Sequence, residues 1–453
     1  MDIFAQGGTM NRQRKPNPSS ALATKYQDDF SIKKVVWRKC AVSFFLIGCS
    51  FTPFMGTAQA NAPEGKPKQF TLSEIIELAL TRHPIIDISQ GSIDEKQGEQ
   101  ISAGAFLNPS LGLISGNGEV RDPTGPKITE RYVHVYQPFE WPGARNARQR
   151  AATAGLQSAE AELEETKIFL TARVKQSFYN LLLAERRVEV ATNTLSTTQK
   201  FGRAVKRRVE SGESPPFELV KVEVETLKAQ KDMARAKGLV RTTQAALNTF
   251  TSGALGQDFA IQGNFQRPLQ ILDKAHFIQH AFTHHPTVKK FEKLIEVAKE
   301  RHHEEKQSLI PNITVNGTYQ RDAGSEGILG GITLPLPLWS QRQGPIAKAL
   351  AIQHQAEAQL FQVKNELQKG IAEQVEILRA AAAQIGTFER GLLKQAQEAV
   401  RIAQVSFRFG EANLLEVLDS QRVLWQTFFS YAEAQHELSI ALAELERLVG
   451  KEL

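Results

Sequence analysis

The stretch Pro311-Asn312-Ile313-Thr314-Val315-Asn316-Gly317-Thr318-Tyr319-Gln320 decides how the chain is read. Ile313, Val315, Gly317 and Tyr319 alternate with Asn312, Thr314, Asn316, Thr318 and Gln320, the period-2 pattern of a strand with one apolar and one polar face. Its length suits a membrane-crossing strand, which needs roughly 9–11 residues. Three further segments, near 109–118, 129–138 and 327–337, complete four strands in two hairpins. Their loops, Glu119 to Ile128 and Arg321 to Glu326, are polar and rich in Gly, Pro or Asp. A small soluble sheet would show the same alternation, so the flanking sequence has to decide. Trp141 and Trp339 lie just past the second strand of each pair, where an aromatic girdle at a membrane interface would sit.

Outward from these strands the chain is written twice. Ala79-Leu80-Thr81-Arg82-His83-Pro84 recurs as Ala281-Phe282-Thr283-His284-His285-Pro286, an offset of 202. Leu107-Asn108-Pro109 returns as Leu309-Ile310-Pro311 at the same offset. Pro138 and Arg145 pair with Pro335 and Arg342 at 197, and Val209-Glu210-Ser211-Gly212-Glu213 with Phe407-Arg408-Phe409-Gly410-Glu411 at 198. The slip of five predicts a longer loop in the first copy, because loops tolerate insertions and packed helices do not. The repeats are set at 61–265 and 266–453, behind a leader at 1–60.

Each copy predicts a helix nicked at its His-Pro (72–105 and 273–308), two strands, and a long Pro-free helix (145–211 and 346–409). A turn at Gly212-Glu213 or Gly410-Glu411 then leads to a returning helix (217–253 and 414–450). A helix over 145–211 would run about 100 Å, which demands coiled-coil partners. Leu156, Leu163 and Leu170, and Leu181, Val188 and Leu195, are spaced by heptads.

The N-terminus reads as an export signal. Lys33, Lys34, Arg38 and Lys39 precede an apolar region, Cys40 to Phe54, and Ala58-Gln59-Ala60 is the small-residue cleavage site. Leu46-Ile47-Gly48-Cys49 resembles a lipobox, an alternative cut that would acylate Cys49. Residues 1–60 hold eight basic and three acidic residues of totals of 55 and 49, so without them the formal charge falls from +6 to +1. That balance argues against nucleic-acid binding. Both cysteines, Cys40 and Cys49, leave with the leader, which excludes disulfides, thiolate zinc sites and a Cys nucleophile. The remainder has no run of about 18 apolar residues for a membrane helix. Four strands cannot close a barrel, and hydrocarbon does not tolerate an open edge. Copies of the chain must supply the rest, and three copies would give twelve strands.

These features together resemble the TolC-type outer-membrane factors of tripartite efflux and secretion systems. The resemblance is carried by the duplicated Leu-x-x-Pro strand starts, by Gln137-Pro138-Phe139-Glu140-Trp141-Pro142-Gly143-Ala144-Arg145, and most specifically by residues 407–421. It covers roughly 70–450. It implies a mostly α fold with a small transmembrane β part, in which long coiled-coil hairpins form a trimeric α-barrel below a 12-stranded β-barrel. It implies no enzymatic activity and no cofactor. It also implies outer-membrane lipids as surroundings in a Gram-negative cell, with a periplasmic adaptor and an inner-membrane pump of RND type as partners. The Gln-Pro-x-Glu-x-Pro-Gly-x-Arg run resembles the CzcC-like heavy-metal efflux branch. A periplasmic coiled-coil adaptor or scaffold, and the outer-membrane channel of a type I protein secretion system, stand as alternatives.

Glu416 and Asp419 are three apart, hence on one helix face. The resemblance places them at the periplasmic gate, where three copies would build an acidic ring. The first copy has Glu218 and Lys221 instead. Phe407 and Ala412 stand where the family's Tyr and Arg latch would be, so closure is expected to rest on packing and charge. Gly212, Glu213, Gly410 and Glu411 are the expected adaptor-docking tips. His284-His285 and His302-His303-Glu304-Glu305 lack metal-ligand spacing, since adjacent helical residues point about 100° apart. No Ser/His/Asp set, phosphate-cradling Gly loop or His-Glu-x-x-His is present.

Overall fold

A computed structural model describes residues 68–119, 127–267, 273–322 and 325–453. The signal segment and Cys49 lie outside the described residues. The first repeat runs β1 (Lys68–Thr71), α1 (Leu72–Arg82), α2 (Pro84–Gly104), β2 (Ser110–Glu119), β3 (Lys127–Phe139), α3 (Pro142–Glu210) and α4 (Pro216–Phe250). The second runs β4 (Phe259–Gln262), α5 (Lys274–His284), α6 (Pro286–Gln307), β5 (Ile313–Asp322), β6 (Ser325–Thr333), α7 (Gln343–Thr387), α8 (Leu393–Arg408) and α9 (Leu414–Val449).

The duplicated His-Pro has a local cause. Proline cannot continue α1 or α5 but suits the first turn of the next helix. The preceding histidine caps that helix: His83 Nδ1 accepts the Ile85 N–H at 3.2 Å, and His285 Nδ1 accepts that of Thr287 at 3.1 Å. Upstream, Thr71 and Glu74 form a capping box that starts α1.

The four long strands form one antiparallel sheet in the order β2-β3-β5-β6. Val135 faces Leu111 on one side and Gly317 on the other, and Val315 faces Gln137 and Ile332. Seven residues separate β2 from β3 and two separate β5 from β6, which accounts for the five-residue slip. A second, parallel pair joins β1 to β4 in register Phe70↔Ile261. At four residues each, these strands are too short for alternation to register in the sequence.

Side-by-side packing places the helices in the order α4-α3-α9-α8. Leu170, Leu181 and Leu195 of the α3 heptads are buried. Ala144, Ala147, Ala151 and Ala154 line another buried stripe, whose small side chains let neighbouring helices approach closely. The second long helix is not continuous, contrary to the 346–409 reading. A π-helical turn, Phe388–Leu392, separates α7 from α8, and Gly391 there has non-helical angles. Gly386 and Gly391 weaken the helix where the first copy has none, and kinks concentrate at glycines and π-bulges. Tyr431 of α9 pins the turn by donating its hydroxyl to Glu389 Oε1 at 2.9 Å.

Both hairpin tips end in the same Schellman closure. Glu213 N–H bonds Arg208 O at 2.8 Å and Gly212 N–H bonds Val209 O at 3.1 Å. Glu411 N–H bonds Ser406 O at 2.9 Å and Gly410 N–H bonds Phe407 O at 3.2 Å. Gly212 and Gly410 carry φ of 77° and 80°, a region that a β-branched residue enters at about 1–2 kcal/mol. Gly410→Val is therefore expected to speed hydrogen exchange at the Gly410 and Glu411 amides by about tenfold or more, whereas Gly410→Asn, which tolerates the left-handed region, stays near the parent.

Candidate functional site

The sheet is built inside out. Leu111, Leu113, Val133, Val135, Ile313 and Val315 share one face, which continues through Ile328 and Ile332 on β6. Ile328 and Ile332 are 84% and 73% exposed, so nothing among the described residues covers this face. The opposite face is mostly polar, with Ile114 and Leu329 as its exposed aliphatic residues. Tyr132, His134 and Tyr136 stack at 6.1 and 5.9 Å, and His134 Nδ1 meets Thr318 Oγ1 at 2.9 Å. Asn316 Oδ1 beside them is buried without a partner. No helix among the described residues is long and apolar enough to cross a membrane.

The Gln137–Arg145 motif joins this sheet to α3. Gln137 Nε2 donates to Leu107 O at 3.0 Å, and Glu140 receives a bidentate pair from Arg148. Trp141 donates its indole N–H to Gln307 Oε1 at 3.1 Å, and Pro142 opens α3. A Cβ on Gly143 would crowd the side chains of Gln307 and Trp141, so a larger residue there would displace the bond between them. Arg145 stacks on Phe106 at 4.1 Å. Its repeat partner Arg342 adopts φ 57° at the start of α7, held there by Glu305. Trp141 is partly exposed and Trp339 is 90% exposed, both at the helix end of the sheet.

At the far end the tips are polar. Glu213 and Glu411 are exposed, with Arg208 3.7 Å from Glu213. Asn413 caps α9 by accepting the Glu416 N–H at 3.0 Å, and its amide returns a bond to Glu416 Oε1 at 2.9 Å. Glu416 and Asp419 do share an exposed face. Asp419, however, pairs with Arg422 one turn on, so the two carboxylates are not equivalent charges. Sequence reading missed Arg422, although an acid three residues before a base on a helix is the signal for it. Phe407 is buried and does not line an exposed mouth in this chain. It packs on Phe201 at 5.1 Å among Val205, Val222, Leu414 and Val417, with Arg208 over its ring at 4.8 Å. An apolar joint thus connects the two hairpins near their tips.

The His302-His303-Glu304-Glu305 run gathers no metal set. Arg148 lies 3.8 Å from Glu304, Arg342 holds Glu305, and no cluster of three or more ligating side chains occurs among the described residues. His284 and His285 likewise diverge: His284 is exposed, while His285 is buried under Arg447.

Residues 75–253 and 277–451 each match the Outer membrane efflux protein family. The chain belongs to that family. The cobalt-zinc-cadmium resistance protein CzcC of Cupriavidus metallidurans is 24% identical over 383 residues, covering 84% of this chain and 90% of the relative. The nickel and cobalt resistance protein CnrC of the same organism is 23% identical, covering 72% and 76%. Among solved structures, CusC superposes with a TM-score of 0.72 at 17% identity, over 84% of this chain and 92% of CusC. VceC, an outer membrane protein of Vibrio cholerae, gives 0.70 at 19%, over 84% and 96%. The fold is therefore that of the outer-membrane efflux channels, and the family's function assigns this chain to the exit duct of an efflux system.

Burial pushes the pKa of His285 down, with its Nε2 bond to Arg447 O and the charge of Glu165 opposing this and Arg447 adding to it. The neutral ring is the one that caps α6, because Nδ1 must accept. A folded-state value below the ordinary one near 6.5 gives stability that is complete above that value and lost as pH falls beneath it. Melting temperature should accordingly drop between about pH 7 and about pH 5. His285→Asn, which keeps a capping oxygen, should flatten that drop; an unchanged slope would assign it to other groups.

Proposed function

We propose that three copies of this chain, each written as repeats 61–265 and 266–453 behind the leader 1–60, close into one duct that carries divalent metal cations out of the cell. A periplasmic adaptor and an RND-type inner-membrane pump deliver the cations. The observation that carries the reading is the inside-out sheet with two open edges, β2 and β6. In hydrocarbon both edges need partners, and β2 of one copy against β6 of the next satisfies them around a twelve-stranded ring. The helices support the same closure. Phe217, Val220, Val224 and Leu227 form an exposed apolar stripe on α4, and Ile402, Val405 and Phe409 form one on α8 and its cap, at the two ends of the helix order. A head-to-tail interface that closes by rotation buries both. Trp141 and Trp339 then mark the inner membrane-water boundary of the barrel. Glu213 and Glu411, held on Gly212 and Gly410, form the rim that meets the adaptor. The names of the relatives CzcC and CnrC support cations as cargo over secreted proteins.

Purified from outer membranes in detergent, the protein should have a protein mass of three chains, and a monomer would sink the closure. Loss of the gene should sensitise cells to cobalt, zinc, cadmium or nickel while leaving protein secretion intact; the reverse outcome would favour a secretion duct. In planar bilayers the channel should select cations and be partly blocked by divalent ions. Because Arg422 already compensates Asp419, Glu416→Ala should relieve that block more than Asp419→Ala, and Arg422→Ala should deepen it. Conductance identical to the parent in the Glu416/Asp419 double variant would end the acidic-ring reading and leave the duct standing.

A further inference from the structure

The short helix α5 places His276, His280 and His284 at i, i+4 and i+8, on one face. The rings of His280 and His284 lie nearly parallel, 24° apart with centroids at 4.7 Å. Both Nδ1 atoms are already engaged. His280 Nδ1 lies 3.3 Å from the carbonyl of Val449 at the end of α9. A carbonyl only accepts, so the proton is on Nδ1 and Nε2 carries a lone pair. His284 Nδ1 lies 2.6 Å from Thr283 Oγ1. The Thr283 hydroxyl also lies 3.0 and 3.1 Å from the carbonyls of Gln279 and His280; with its proton on either of them, its oxygen accepts from His284 Nδ1. In that tautomer His284 Nε2 keeps its lone pair as well. A neutral imidazole whose Nδ1–H is held by a backbone carbonyl or hydroxyl is the form in which histidine binds metal.

We propose that His280 and His284 form a two-histidine site for a borderline transition-metal dication such as Cu2+, Ni2+ or Zn2+. The i, i+4 spacing suits two adjacent coordination positions on one ion. No third ligating side chain completes a cluster among the described residues, so water fills the remaining positions. The site is a chelating pair rather than a structural centre. Burial also disfavours the protonated form of His280, which reduces competition from protons at neutral pH. Lys451, whose charge is felt at His280, opposes a dication. Metal on Nε2 would strengthen the Nδ1–H bond to Val449, so occupancy tightens α5 against the C-terminal end of α9. The site stands on these residues alone and does not depend on metal being the cargo of the duct.

The test uses the detergent-purified full chain, stripped with chelator and titrated with Cu2+ and Ni2+ by calorimetry, with electron paramagnetic resonance of the Cu2+ form. One ion per chain with two nitrogen donors is expected. His280→Ala and His284→Ala should each remove one nitrogen from the spectrum and weaken binding more than about tenfold. Thr283→Val, which keeps both imidazoles, should weaken it about tenfold, and Lys451→Gln should tighten it. His302→Ala/His303→Ala and Glu416→Ala/Asp419→Ala should leave the site unchanged. A parent without a one-equivalent site, or a site unmoved by His280→Ala and His284→Ala, overturns the proposal. If the alanine variants fail to fold, the Thr283→Val and Lys451→Gln titrations decide it, and parent-like affinity in both counts against it.

Discussion

The unpaired backbone at the two edges of the sheet is the constraint on which the rest depends. Each edge residue carries an N–H and a C=O, and in hydrocarbon no water is available to satisfy them. One chain provides four strands, two polar edges and an uncovered apolar face. Such a sheet is unsatisfied in water because of its face and unsatisfied in lipid because of its edges. Closure by identical copies removes both costs at once. A sheet so closed would need no core of its own, since lipid would meet its apolar face and water the other.

The helical part answers the same requirement with different chemistry. Its backbone is satisfied internally, so side-chain packing decides where the chain meets its copies. Within one chain α3 sits at the centre, contacting α1, α2, α4, α6 and α9, and its buried alanines permit that crowding. Helices α4 and α8 stand at the ends of the order and keep apolar stripes that no described residue covers. The strand edges and the helix stripes thus make one demand from opposite ends of the molecule. The junction motif couples them, through the Glu140–Arg148 pair, the Trp141–Gln307 bond and the glycine at 143.

Most of this architecture was legible because it rests on long periodic signals. Period-2 alternation over ten residues, heptads across α3, and a repeat anchored at His-Pro, Leu-x-x-Pro and Gly-Glu all survive in a single sequence. Isolated strands of four residues did not. β1 and β4 are fixed by pairing with each other, a contact far apart in the chain. The break at Gly391 was hidden because absence of proline was read as continuity, whereas paired glycines and the Phe388–Tyr431 contact decide the local geometry. Near the second tip, the face shared by Glu416 and Asp419 followed from spacing, but the pairing of Asp419 with Arg422 is a side-chain choice. The burial of Phe407 depends on Phe201, some two hundred residues away.

The two repeats differ most near the end where a duct must open and close. The first hairpin has an unbroken outgoing helix and offers Glu218 and Lys221 at the start of its return. The second has a π-turn in its outgoing helix and offers Glu416 and Asp419. The two are joined by Phe201, Phe407 and their aliphatic neighbours. Apolar contact is non-directional, so such a joint keeps much of its favourable free energy when one helix slides along the other. A hydrogen-bonded latch loses its bond abruptly with distance and angle. A tip held by packing, on a helix already interrupted at Gly391, is thus suited to graded rather than all-or-none displacement.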